Sequence, residues 1–166
     1  AKKHGIKTMV GAWLGTDLEK NEKEIEALIE LGNQGLVDIA AVGNEVLYRD
    51  ELSIEQLIGY LNRVKNALPQ VQVGYVDAYY KFSKYPELVE ACDVILSNCY
   101  PFWEGCPIDY SVHHMKKMYN QALSVSQGKK VIVTETGWPN QGIRPRDHRG
   151  CSQSANRKHD GGDLCF

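Results

Sequence analysis

Glu45 and Glu135 stand 90 residues apart, and each abruptly ends an apolar run. Leu36-Val37-Asp38-Ile39-Ala40-Ala41-Val42-Gly43-Asn44 leads into the first, and Lys129-Lys130-Val131-Ile132-Val133-Thr134 into the second. Short β-branched runs of this kind predict buried parallel strands. In (β/α) barrels the C-terminal strand ends carry the chemistry. Two carboxylates there suit the two faces of a glycosidic bond, one protonating the leaving oxygen while the other attacks the sugar or activates water. A single glutamate so placed is an ordinary solvated strand end; the matched pair is what points to chemistry.

Aromatic residues gather at the same predicted strand ends: Trp13, Tyr79, Tyr80, Tyr100, Phe102, Trp103 and Trp138. The apolar faces of sugar rings stack on such side chains, although packing in a core uses them equally. Other chemistries find little support. His113 and His114 are adjacent on a predicted helix and point about 100° apart, which does not make a shared metal site. Cys92, Cys99 and Cys106 are spaced by seven, unlike zinc ligands, and five cysteines are an odd number for a disulfide framework. Gly32-x-x-Gly35 and Gly161-Gly162 lack the lysine and helix context of a phosphate loop. No metal and no cofactor is expected.

The elements that would position these residues alternate in type. Strands are predicted over Ile6 to Trp13, Val37 to Asn44, Val71 to Val76 with its end near Asp77, Val94 to Leu96, and Val131 to Glu135. Helices are predicted over Asn21 to Gly32, Ser53 to Leu68, Pro86 to Ala91, and Asp109 to Val125. The second helix is the clearest. Ser53-x-x-Gln56 reads as a capping box, Ile54, Leu57, Ile58, Leu61, Val64 and Leu68 form one apolar face, and Pro69 closes it. In the last helix Tyr110, Met115, Met118, Tyr119 and Leu123 are expected to face inward. Strand starts recur about every 31 residues, the size of a βα unit. This pattern implies an α/β fold with a parallel sheet covered by helices, either doubly wound or part of a barrel.

The 166 residues suffice for one domain, with 43% hydrophobic content for its core. Nineteen basic and 21 acidic residues are near balance, so neither a nucleic acid nor a membrane surface is indicated as a partner. No apolar run approaches a membrane span. From Asn140 to Phe166 the only large aliphatics are Ile143 and Leu164, without periodicity. That segment is expected to be an irregular tail, loosely packed or disordered.

Ala41-Val42-Gly43-Asn44-Glu45-Val46 and Val133-Thr134-Glu135-Thr136-Gly137-Trp138-Pro139 resemble the two signature stretches of glycoside hydrolase family 17. Val73-Gly74-Tyr75-Val76-Asp77 and Asn98-Cys99-Tyr100-Pro101-Phe102-Trp103-Glu104-Gly105 are similar to its fifth and sixth strand ends. The resemblance covers roughly residues 6 to 142. It implies an incomplete (β/α)8 TIM barrel over residues 1–139, holding about strands three to seven with their helices. Strands one, two and eight would lie outside the chain. Residues 140–166 would then be an irregular tail of the kind a shifted reading frame or truncated gene model produces.

The resemblance further implies a retaining β-1,3-glucan hydrolase or transglycosylase acting by double displacement, with a β-glucan as its partner. Glu45 would be the acid/base and Glu135 the nucleophile, with Asn44 touching the sugar 2-hydroxyl. Tyr100 and Trp138 belong to the family motifs, and Trp103, Phe102, Trp13 and Asp77 are further substrate-binding candidates. Another retaining β-glycosidase of the same barrel type, or a non-catalytic glucan-binding remnant, stays open as an alternative. The family is often secreted, periplasmic or cell-wall associated, but nothing in these residues assigns a compartment.

Overall fold

The computed structural model describes residues 1–140. The expected tail, 140–166, lies outside the described residues apart from Asn140. Five strands, β1 (Met9–Ala12), β2 (Ile39–Asn44), β3 (Gln72–Ala78), β4 (Val94–Asn98) and β5 (Lys130–Glu135), alternate with helices α1 (Leu18–Asn33), α2 (Ile54–Ala67), α3 (Lys81–Lys84), α4 (Pro86–Ala91) and α5 (Ser111–Ser124). All adjacent pairs are parallel, and the strands lie in sequence order, β1-β2-β3-β4-β5. A doubly wound sheet reverses direction at a switch point; among the described residues this one does not.

A succession of right-handed crossovers in one direction leaves every helix on the same face of the sheet. The large core lies there. Leu57, Leu61, Val64 and Leu68 of the α2 segment and Ile25 and Leu28 of α1 pack on Ala40, Val42, Val73, Tyr75 and Ile95, which point outward from alternate strand positions. The intervening positions, Ala41, Val76, Val94 and Leu96 with Ile39 and Ile132, form a separate small cluster on the opposite face.

Local sequence explains the helix boundaries. Asp17 caps α1 by accepting the Lys20 amide. Ser53 and Gln56 bond each other's backbone amides as a full capping box. The short helix α3 had no sequence signal. In α5 the inward face differs from expectation: His114, Met118 and Ala122 are buried, while Tyr110 is 61% and Leu123 45% exposed. Tyr110 precedes the helix in a 3-10 turn, and Leu123 sits about 100° around the helix from Ala122.

Gly74 of β3 leaves no room for a side chain against β4. A Cβ there would meet the Val94 carbonyl oxygen at 2.4 Å and Leu96 Cγ at 3.1 Å. Backbone cannot yield as a side chain does, so Gly74→Ala should part the two central strands. We expect a loss of about 1–3 kcal/mol, read as a thermal midpoint roughly 3–10 °C lower. An unchanged midpoint would show that the strands separate at no cost.

Candidate active site

Both glutamates follow irregularities that period-2 counting does not foresee. Along β2 and β3, Ala41 pairs with Gly74 but Asn44 pairs with Val76, so β2 carries one extra residue. Gly43 lies in that bulge with φ of +82°, a conformation that favours glycine. Along β4 and β5, Ser97 pairs with Val133 but Asn98 pairs with Glu135, so Thr134 is extra. Strict alternation would aim Asn44 and Glu135 toward the helices. The bulges turn them to the face of Val76 and Asn98 instead, as such insertions commonly do beside active sites.

Glu45 and Glu135 therefore occupy the same C-terminal edge of the sheet, at the ends of β2 and β5. Glu45 itself has φ of +53°, rare for a non-glycine residue. Its amide donates to the Val76 carbonyl at 2.8 Å, and its carbonyl accepts from the Arg49 amide at 2.9 Å.

Asn98 ties the two ends together. Its Nδ2 donates to Glu45 Oε1 at 2.9 Å, and its Oδ1 accepts from the Thr134 hydroxyl at 2.8 Å, one residue before Glu135. Flat strands two places apart stand roughly 9–10 Å from each other. The Asn98 and Glu45 side chains together cover that span from β4 across β3, so both reach over the same face of the sheet. Tyr100 donates to Glu135 Oε2 at 3.0 Å. Burial, that hydrogen bond, and the charges of Glu135 and Glu45 push the Tyr100 phenol up to about 12, so it stays a donor at neutral pH. Asn44 Oδ1 is buried without a hydrogen-bond partner within the protein.

The aromatic candidates divide by exposure. Trp103 is 68% and Trp13 54% exposed. The Arg49 guanidinium lies 5.2 Å over the Trp13 ring and pairs with Glu51 at 2.8 Å. Trp138 is partly exposed. Phe102 is buried, edge-on to both Trp103 and Trp138 with centroids 5.1 and 5.2 Å away, so it backs the two tryptophans. Asp77 departs from the expected surface contact. It has no exposed surface for a sugar to touch. Its oxygens accept from the Tyr75 hydroxyl and from the Ala78 amide at 2.7 Å. Tyr75 and Asp77 share the parity that points to the helix side, which is why a strand-end carboxylate became an interior one.

Sequence reasoning passed over several residues here. Asn98 stood only as part of a stretch resembling a family strand end, with no role of its own. Glu104 accepts from the Tyr79 hydroxyl at 2.9 Å and meets His114 Nε2 at 2.6 Å, fastening the loop that carries Trp103 to α5. That contact also accounts for a histidine on the buried face of a helix. Among the described residues no group of three or more His, Cys, Asp or Glu side chains could hold a metal, and no helix is long and apolar enough to cross a membrane.

Comparison with known proteins adds to this geometry. The family model of the BtgE/BtgC glycoside hydrolase domain matches residues 1–158. A probable glucan endo-1,3-beta-glucosidase btgC from Aspergillus fumigatus is 29% identical, covering 93% of this chain and 24% of that protein. A glucan 1,3-beta-glucosidase from Arthroderma benhamiae is 29% identical over 86% of this chain and 50% of its own length. The crystal structure of a glycoside hydrolase family 17 β-1,3-glucanosyltransferase from Rhizomucor miehei superposes with a TM-score of 0.75 at 32% identity, covering 83% of this chain and 53% of that one. An active-site mutant of the Rhizomucor miehei enzyme in complex with laminaritriose gives 0.79 at 30%, over 88% and 56%. The chain thus spans about a quarter to a half of the length of these relatives.

Proposed function

The chain belongs to the family of BtgE/BtgC glycoside hydrolase domains, and from that premise we propose that residues 1–139 form strands three to seven of a (β/α)8 barrel that cleaves or transfers β-1,3-glucan with retention. The single winding direction, with the large core and its helices on one face and a small separate cluster on the other, supports the barrel reading. The observation that carries the chemistry is the Asn98 bridge from Glu45 to the strand end that bears Glu135. It links the Glu45 carboxylate to the residue before Glu135, on strand ends three places apart in the sheet.

Glu45 protonates the glycosidic oxygen while Glu135 attacks the anomeric carbon and forms a glycosyl ester. Glu45 then takes the proton of an incoming hydroxyl as that ester breaks. Retention asks the two carboxyls to lie about 5–5.5 Å apart. Tyr100 donates to Glu135 and fixes the attacking oxygen. Asn44 Oδ1, without a partner in the protein, is an acceptor for a sugar hydroxyl. Trp13, Trp103 and Trp138 offer ring faces to the glucan, with Phe102 behind the last two. A water acceptor gives hydrolysis and a glucan acceptor gives transfer; relatives bearing either name exist.

The test is laminarin supplied to a version of the protein with a complete barrel. Reducing ends or elongated chains should form, and the anomeric proton of the first product should be β. A first product of α configuration would overturn the mechanism. Retention on insoluble glucan with no new ends would identify a binding remnant instead.

A further inference from the structure

We propose that Asp77 and Tyr75 are positioning residues that hold Glu45 in place through the backbone of Leu47, rather than contacts for the sugar. This rests on the assignment of Glu45 to the chemistry. The chain of contacts is continuous and closed to solvent. Asp77 accepts the proton of the Tyr75 hydroxyl. The same hydroxyl accepts the Leu47 amide at 2.9 Å, in a buried bond spanning 28 residues. From the other side, Lys81 Nζ donates to the Leu47 carbonyl at 2.9 Å. Both polar groups of the Leu47 backbone are therefore gripped by side chains, two residues beyond Glu45.

The grip has something to hold. Glu45 sits at a left-handed φ, and so does Asp50 at the far side of the same turn. Such conformations persist at functional sites only where the surroundings over-determine them. The turn's own bonds, Arg49 to Glu45 and Glu51 to Val46, are local, and the bond from the Glu45 amide to the Val76 carbonyl fixes only its near end. The bonds from Tyr75 and Lys81 anchor it to β3 and α3. The sequence offers no cheaper purpose for the carboxyl. A buried Asp without a cationic partner in hydrogen-bond contact is costly, and an apolar residue would pack the same space.

The network also responds to pH. Burial pushes the Asp77 carboxyl up to about 6, against the hydrogen bonds from Tyr75 and the Ala78 amide, with Lys81 lowering and Glu45 raising it. Tyr75, Glu45, Lys81 and Tyr80 are the titratable groups acting on it or acted on by it. Below about pH 6 Asp77 carries its own proton, so the Tyr75 hydroxyl loses its charged acceptor and its hold on Leu47 weakens.

The experiment pairs kinetics with amide exchange in a protein carrying the complete barrel. Asp77→Asn should lower kcat about 10- to 100-fold with KM for laminarin within about twofold, the signature of a displaced catalytic group. Tyr75→Phe should do the same, and the double variant should be no worse than the poorer single. Protection of the Leu47 amide should fall in both, and in the wild type it should fall as pH drops through about 6, a dependence lost in Asp77→Asn. If Tyr75→Phe fails to fold, the isosteric Asp77→Asn decides alone. A rise in KM with kcat unchanged would make Asp77 a substrate contact and overturn the proposal, as would unchanged Leu47 protection. A wild type inert on laminarin would defeat the proposed function, and the exchange data would still decide the relay.

Discussion

Glu135→Ala, in a version with the complete barrel, should lose about 10⁴-fold or more of its turnover, the scale expected when a covalent nucleophile is removed. Azide should restore part of it. The truncated side chain leaves room for a small anion beside the Tyr100 hydroxyl, which otherwise donates to Glu135 Oε2 at 3.0 Å. Attack by azide is then a single displacement, so the product is an α-glycosyl azide from a β-glucan. Glu45→Ala gives the complementary result. An activated aryl glucoside still forms the ester on Glu135, and azide releases it as the β-azide. The two azide anomers assign the roles of the carboxylates independently of any rate. Full activity of Glu135→Ala, or a β-azide from it, would show that the nucleophile is elsewhere.

The sequence showed which residues matter more readily than where they point. The five strands and the long helices follow from local signals: β-branched runs, the Ser53–Gln56 cap, and the α2 stripe, whose Leu57, Leu61, Val64 and Leu68 are fully buried. These signals are strong because a strand or helix buries its own pattern whatever its neighbours do. The bulges at Val42-Gly43 and at Thr134 leave almost no trace in composition. Gly43 is the one residue that hints at them, and a glycine in a strand has several readings. Yet they decide the face on which Asn44 and Glu135 emerge. Counting by twos from Ala41 or from Ile132 puts both residues on the wrong side.

Long-range partners were equally hidden. Asn98 meets Glu45 across 53 residues of chain, and His114 meets a glutamate from the preceding loop. Asp77 illustrates the same limit in the opposite direction. Its place at a strand end suggested an exposed contact, and only the parity it shares with Tyr75 sends it inward, under the turn that carries Glu45. In each case the residue type was visible, while its direction depended on a register set by other strands.

Asn98 is where that register bears most directly on chemistry, and its substitution should be the most informative after the nucleophile's. Asn98→Asp keeps the shape and the Oδ1 that accepts from Thr134, but it replaces the Nδ2 donor with a carboxylate oxygen facing Glu45 Oε1, now 2.9 Å from Nδ2. A hydrogen bond to the neutral carboxyl of a general acid contributes about 0.5–1.5 kcal/mol, so its loss alone predicts a fall of about 2- to 12-fold in kcat/KM at neutral pH. Two carboxylates this close cannot both ionise, and below neutrality the pair holds one proton between them. That proton restores a hydrogen bond between the residues, so the deficit of Asn98→Asp should shrink as the pH falls and its optimum should move to the acid side. Asn98→Ala has no such group. It should lose activity at every pH with its optimum unmoved, and lose stability as well, because Asn98 is only 2% exposed and its removal leaves Thr134 without its acceptor. Measured side by side, the two pH profiles separate a positioning bond from a packing defect. Identical profiles for Asp and Ala would mean that the side chain at position 98 does not face Glu45 in the working enzyme.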